Sequence, residues 1–221
     1  MTNNILIIGY GDLGNRLVSN FNSKNNYKFY GASRSLKNTK EMISIQWNWL
    51  KSKKLELGES DFSHVVFIPK PSSMTEEGYK DGFDKSIRNV LISLEDISFG
   101  SFIAVSSTRV FGQEQKGVLT ENIKPIPDNY RGEIILKYEK LLGKKINRNL
   151  NILRFAGLYD LLEKKPNFKN KISRNNAALI IEHFIHNSIT GTFNCLEDSE
   201  HIHGERNISN EKLKSSGFNF I

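Results

Sequence analysis

Three glycines near the start of the chain carry the first chemistry. In "ILIIGYGDLGNRL", residues 5–17, an apolar run meets Gly9, Gly11 and Gly14 in the spacing G-x-G-x-x-G, and an amphipathic helical pattern follows. That arrangement suits a pyrophosphate. Gly9 allows the tight turn out of a strand, Gly11 lets the backbone approach phosphate without a Cβ in the way, and Gly14 lets the helix pack closely on the sheet. The helix N-terminus adds free N–H groups and a partial positive charge, with Tyr10, Asp12 and Leu13 supplying the rest of the loop backbone. A glycine turn kept only for packing is the alternative. The position between a strand and a helix at the head of a first βαβ unit favours a dinucleotide loop.

A second group stands at the end of the next apolar run, "YGASRS" at 30–35. A carboxylate there would bind a ribose 2′-hydroxyl, whereas an arginine accommodates a 2′-phosphate. The chain has no carboxylate in this stretch and offers Ser33, Arg34 and Ser35, which favours NADP(H) over NAD(H). The other reading of Arg34 is a solvated loop residue. His201 and His203 in "EHIHGE" stand beside Glu200 and Glu205, but their spacing matches no strong metal site, so a solvated loop and no bound metal are expected. His183 is read as structural.

Strands and helices must alternate to position these groups, and the apolar patterning does alternate. Strands are expected at 4–9, 27–33, 43–47, 64–69, 101–107 and 151–159. Between them lie helices at 13–23, 79–97 and 132–146, the second carrying Phe83, Ile87, Val90, Leu91, Leu94 and Ile97 at spacings of three and four. This rhythm implies right-handed crossovers and a parallel sheet covered on both faces, a doubly wound α/β fold. After about residue 160 the rhythm lapses. The expected division is a nucleotide-binding domain over 1–160 and a short substrate lobe over 161–221, not sharply separable.

Composition narrows the classes further. With 221 residues and 38% hydrophobic content the chain can bury a core of its own. Its single cysteine, Cys195, permits no intrachain disulfide and no cysteine metal cluster. No stretch approaches the apolar length of a membrane span, and a reducing, cytoplasmic location is expected. The net charge of +7 raises nucleic acid as a partner. The surplus is scattered through "KSKK", "GKKINR" and "EKKPNFKNK", which reads as solvated charged faces rather than a nucleic-acid surface.

The segment "AVSSTRVFGQEQKGVLTENIKPIP" at 104–127 resembles the "S-S-x-x-V-Y-G … E-x-x-x-P-x-x-P" signature of the extended short-chain dehydrogenase/reductase superfamily, the NAD(P)-dependent epimerase/dehydratase group. "NILRFAGLYD" at 151–160, "GTFNCLED" at 191–198 and "NISNEKLKSSGFNF" at 207–220 are similar to later motifs of that group, in family order. The resemblance is strongest to an atypical bacterial branch with altered active sites. It implies a Rossmann fold, and it gives Ser107 the role of holding the substrate oxygen. It also implies that Pro69 and Lys70 flank the nicotinamide-side ribose, and that the helices at 79–97 and 132–146 form a homodimer.

The family's acid is a tyrosine activated by a lysine four residues later, because a free phenol holds its proton too firmly near neutrality. Aligned on Glu139, the tyrosine position holds Arg131 and the lysine position holds Ile135, so the dyad is absent. Tyr130 is one residue out of register. Two functions follow from the resemblance. One is an NADP-dependent oxidoreductase or epimerase acting on a nucleotide sugar or small carbonyl compound, with Ser107, Tyr130 and Arg131 as candidate catalytic residues. The other is a catalytically silent NADP(H)-binding sensor or interaction protein.

Overall fold

The structure is a computed structural model that describes residues 3–22, 24–37, 39–51, 54–146, 149–160, 166, 169–199 and 203–221. Glu200 and His201 of "EHIHGE" and most of the basic stretch at 163–171 lie outside these residues.

Seven parallel strands form the central sheet. In chain order they are β1 (Asn3–Ile8), β2 (Tyr27–Ser33), β3 (Ile43–Gln46), β4 (Asp61–Phe67), β5 (Ser98–Ser107), β7 (Leu150–Phe155) and β10 (Gly191–Cys195). The spatial order is β3-β2-β1-β4-β5-β7-β10. From β1 the chain steps outward through β2 and β3, then crosses back to β4, so the order reverses between β1 and β4. In open parallel sheets a ligand crevice lies outside the carboxyl ends of the strands at such a reversal. The register places Ile8, the last residue of β1, between Ala32 and Phe67. All three are fully buried, because strands covered on both faces are apolar on both faces.

Helix α1 (Asp12–Asn20) leaves β1 through Gly9–Gly11 and buries Leu13, Gly14, Leu17 and Val18. The helix expected over 79–97 begins earlier, at α2 (Glu76–Tyr79), where the Thr75 hydroxyl accepts from the Gly78 amide. It widens into a π-helical turn over Lys80–Lys85 and continues as α3 (Ser86–Ser93). Tyr79, Phe83, Ile87 and Val90 are its buried face. A Cβ on Gly82 would meet the Lys70 carbonyl oxygen at 2.5 Å, so this glycine lets the widened turn press on the backbone that carries Lys70.

Helix α4 (Tyr130–Lys145) starts from Asn129, whose side chain accepts from the amides of Arg131 and Gly132. The two short outer sheets are β6 (Gly117–Leu119) with β11 (Arg206–Ile208), and β8 (Gly157–Tyr159) with β9 (Lys171–Ser173). The strand expected as one piece over 151–159 is therefore divided at Ala156, where β8 leaves the main sheet.

The lapse of rhythm after about 160 is corrected by the structure. Helix α5 (Arg174–His186), capped by the Ser173 hydroxyl, packs on α1, and β10 then adds a seventh strand beside β7. Helix α6 (Glu211–Ser215) closes the chain. The sheet thus runs across residue 160, whatever division of roles that position marks.

Candidate functional site

Two cavities meet at the carboxyl ends of the strands. The smaller, about 210 Å³, lies at the β1/β4 reversal and is lined by Gly9, Tyr10 and Gly11 from the loop, Ser33, Arg34 and Ser35 from the end of β2, and Lys70 after β4. The larger, about 570 Å³, lies over β5 and β7 and includes Pro69, Ser107, Arg109, Asn170 and Arg206 in its walls. Lys70 and Pro69 are chain neighbours, so the two spaces share a rim.

The loop geometry explains each glycine. Gly9 has φ +89°, and a Cβ there would sit 2.2 Å from the Ile68 carbonyl oxygen. Gly14 lies against the Tyr10 ring and Ile7, with an added Cβ 3.1 Å from Tyr10 Cδ2. At Gly11 an added Cβ would meet only the Gly9 oxygen, at 3.8 Å. The space beyond Gly11 is therefore open to a ligand rather than filled by protein. The Gly9 and Tyr10 amides both donate to the Ala32 carbonyl at 3.0 Å, which ties the loop to β2. Gly11 has no side chain to cap the first-turn amides of α1, and these point to where an anion would sit.

The Tyr10 ring is buried, its hydroxyl donates to Asn15 at 3.3 Å, and burial together with the charge of Glu41 raises its pKa. Tyr10 is a packing residue whose backbone lines the loop. Leu13 and Gly14 are buried in the first turn, while Asp12 is exposed and pairs with Arg16 at 3.2 Å.

The charge of the smaller cavity is one-sided. Arg34, Lys37 and Lys70 line it, and among the described residues no carboxylate does. Elsewhere on the surface some cations are paired, among them Lys24 with Glu41, Lys54 with Asp96 and Lys80 with Glu76. Ser33 donates to the Ser35 carbonyl at 2.6 Å, which folds the turn that carries Arg34 outward. Sequence reasoning missed Lys37 and Trp49. Lys37 lies three residues past Arg34 and was within reach of the same argument, whereas Trp49 arrives from the turn after β3 and carries no local signal.

In the larger cleft, Ser107 ends β5, and its Oγ accepts from the Arg109 amide at 3.3 Å. Its hydroxyl proton is free to be donated, since a hydroxyl can accept and donate at once. Ser106 is committed elsewhere: it donates to Glu139 at 2.6 Å, and Glu139 makes a buried two-pronged pair with Arg154, at 2.9 and 2.7 Å. Arg206 donates to the carbonyls of Gly112 and Phe111 at 3.0 and 3.2 Å, and burial lowers its pKa. Lys169 donates to Asn207 at 2.8 Å. Arg206, Lys169 and Asn170 were not found from the sequence, because they reach the cleft only through the packing of β9 and β11.

Tyr130 and Arg131 do not line the cleft with Ser107, contrary to their grouping from the sequence. The Tyr130 hydroxyl donates to the Met74 carbonyl and accepts from Arg131 Nε at 3.2 Å, and the Arg131 guanidinium lies 5.6 Å from the Tyr79 ring centre. The reason is local. Helix α4 begins at Tyr130, and Tyr79 at the end of α2 packs edge-on against that ring at 5.8 Å. Of the other phenols, Tyr138 is fully buried and donates to the Val105 carbonyl at 3.2 Å, with its pKa raised by burial. Tyr159 donates to Glu197, and burial and that carboxylate push it up to about 12. No tyrosine, histidine or carboxylate lines the larger cleft among the described residues.

Among the described residues no group of three metal-binding side chains occurs, and no helix is long and apolar enough to cross a membrane.

No family profile matches this chain, and no curated protein matches it. Solved structures do. A provisionally assigned NAD-dependent epimerase/dehydratase from Methylobacillus flagellatus superposes with a TM-score of 0.75 at 21% identity, covering 100% of this chain and 94% of that one. UDP-glucuronic acid 4-epimerase from Bacillus cereus, in complex with UDP-glucuronic acid and NAD, gives 0.70 at 14% identity over 89% and 78% of the two chains. UDP-N-acetylglucosamine 4-epimerase from the same organism gives 0.66 at 16% identity over 88% and 75%. The chain has the Rossmann-type fold of the NAD-dependent epimerase/dehydratase structures.

Proposed function

We propose that this protein binds a nicotinamide dinucleotide across Gly9–Gly14, prefers NADP(H) to NAD(H), and presents it to a nucleotide sugar or small carbonyl compound in the adjoining cleft. The observation that carries the reading is the smaller cavity itself. One space gathers the glycine loop, the end of β2 and Lys70, with three cations and no carboxylate in its lining among the described residues. Similar folds hold NAD and a UDP-sugar together, which supports the pairing of the two cavities. The preference for NADP(H) rests on Arg34, Ser35 and Lys37, since a 2′-phosphate needs charge-assisted donors and a ribose hydroxyl a carboxylate.

A bound nicotinamide supplies hydride chemistry. The chain's own part is to orient the two ligands and polarise the substrate. Ser107 donates to the substrate oxygen, and Pro69 and Lys70 stand where the two ligands meet. The test is turnover of NADPH or NADP⁺ with a panel of carbonyl compounds and UDP-sugars, in wild type and in Ser107→Ala. A loss of about 100-fold or more in the variant, with cofactor affinity kept, is the expected result.

One observation favours a second reading. With the Tyr130 hydroxyl held on Met74, no tyrosine, histidine or carboxylate lines the cleft among the described residues, and its proton donors are hydroxyls and the cations Arg109, Lys169 and Arg206. A protein that binds cofactor and ligand without turnover, as a sensor or interaction module, fits that geometry. Saturable binding of both ligands with no turnover in the same assay selects it.

A further inference from the structure

We propose that Arg16 is a positioning residue that couples the glycine-loop helix to the wall of the larger cleft, so that seating a dinucleotide at the first orders the second. The proposal rests on the dinucleotide reading above. Arg16 stands one turn into α1, and its guanidinium reaches three ways: Nε to Asp12 at 3.2 Å, Nη1 to the Asn175 side-chain oxygen at 2.6 Å, and Nη2 to Asp160. Arg174 runs beside it, with Nη1 3.6 Å from Asp12 and 3.9 Å from Asp160. Two carboxylates thus share two guanidiniums across segments far apart in the sequence.

The pair at the centre is sheltered. The Arg16 and Asp160 side chains are only 23% and 13% exposed, unlike the freely solvated pairs that contribute little. Both ends connect to function. Asp12 lies in the first turn of α1, where a phosphate would sit. Asp160 directly follows β8, whose Gly157 and Leu158 line the cleft, and Arg174 and Asn175 directly follow β9, preceded by the cleft residue Asn170.

A diphosphate at the N-terminus of α1 adds negative charge beside Asp12. Both guanidiniums are then held more firmly at that end, and Asp160 and Asn175 are held through them. Because coupling is reciprocal, a ligand that orders the cleft wall tightens the cofactor by the same factor.

The experiment is amide hydrogen exchange on the full chain with and without saturating NADPH, in wild type, Arg16→Met and the near-isosteric Asp160→Asn. Slowing at residues 9–14 reports binding itself. In wild type NADPH is expected to slow exchange at 157–159 and 170–175 by about threefold or more, and in both variants that slowing is lost while that at 9–14 persists. A purely structural role for Arg16 would raise exchange with and without NADPH alike and leave the difference unchanged. Wild-type slowing of the cleft wall in variants that still bind NADPH overturns the proposal, as does wild-type protein that is slowed at 9–14 alone. Failure of NADPH to slow 9–14 in wild type defeats the dinucleotide reading instead, and this inference with it.

Discussion

The Tyr130 hydroxyl donates to the main-chain carbonyl of Met74, and so joins the start of α4 to the turn that precedes α2. This phenol is a strut between two helices. Tyr130→Phe is expected to cost about 1 kcal/mol of stability, the worth of one hydrogen bond, and to leave NADPH affinity within about twofold of wild type. Any turnover should persist. A selective loss of turnover with stability and affinity intact would place the acid at Tyr130.

Gly9 and Gly11 should fail differently when substituted. Gly9 has φ +89° and the Ile68 carbonyl 2.2 Å from an added Cβ, so Gly9→Ala strains the backbone and pushes β1 from the segment after β4. A loss of about 3 kcal/mol or more is expected in urea unfolding. Gly11→Val places its side chain in open space, 3.8 Å from the nearest oxygen. It should unfold close to wild type yet lose dinucleotide binding, because the side chain occupies the phosphate's place.

Most of the fold was legible because burial leaves a period in the sequence. β1 reads as an apolar run from Ile5 to Ile8, and of the sequence-predicted set Phe83, Ile87, Val90, Leu91, Leu94 and Ile97 the structure buries Phe83, Ile87, Val90 and Leu94 and leaves Leu91 and Ile97 half-buried. Where polar residues enter an element the reading fell short. β4 begins at Asp61 rather than 64, with Asp61 and Ser63 disguising its start. The glycine loop between β1 and α1 was legible because its residues are contiguous. Trp49, Lys169 and Arg206 were not, since their place at the cavities is set by tertiary packing alone. The separation of Tyr130 from Ser107 depends on which way one helix start turns, and no periodicity encodes that.

Glu139 and Arg154 form a charge pair whose side chains are 5% and 6% exposed. Glu139→Gln leaves a buried guanidinium without its carboxylate, and Arg154 Nη1 already has no hydrogen-bond partner among the described residues. Chemical unfolding should show a loss of about 3–5 kcal/mol. The double variant Glu139→Leu with Arg154→Met should recover most of it, because the uncompensated charge is then gone.

His64 links stability to acid. Burial, with a smaller contribution from His186, lowers its pKa to about 4, below the unfolded value of about 6.5. Between those values the unfolded chain binds the proton and the folded chain does not, so stability falls as pH drops from about 6.5 toward 4. Between pH 7 and 4.5 the wild type should lose about 2 kcal/mol more than His64→Gln in urea unfolding. Parallel losses in the two proteins would show that His64 is not the group responsible.

The most direct test of the central claim is a fluorescence titration of the purified protein with NADPH and NADH, repeated in Arg34→Ala. The expected result is saturable binding of both, NADPH the tighter by about tenfold or more, with Arg34→Ala weakening NADPH by about 10- to 100-fold and NADH hardly at all. If neither nucleotide binds, Gly9–Gly14 is a packing turn and the account of the site is wrong. If both bind and Arg34→Ala changes neither, the dinucleotide reading stands and the assignment of a 2′-phosphate to Arg34 does not.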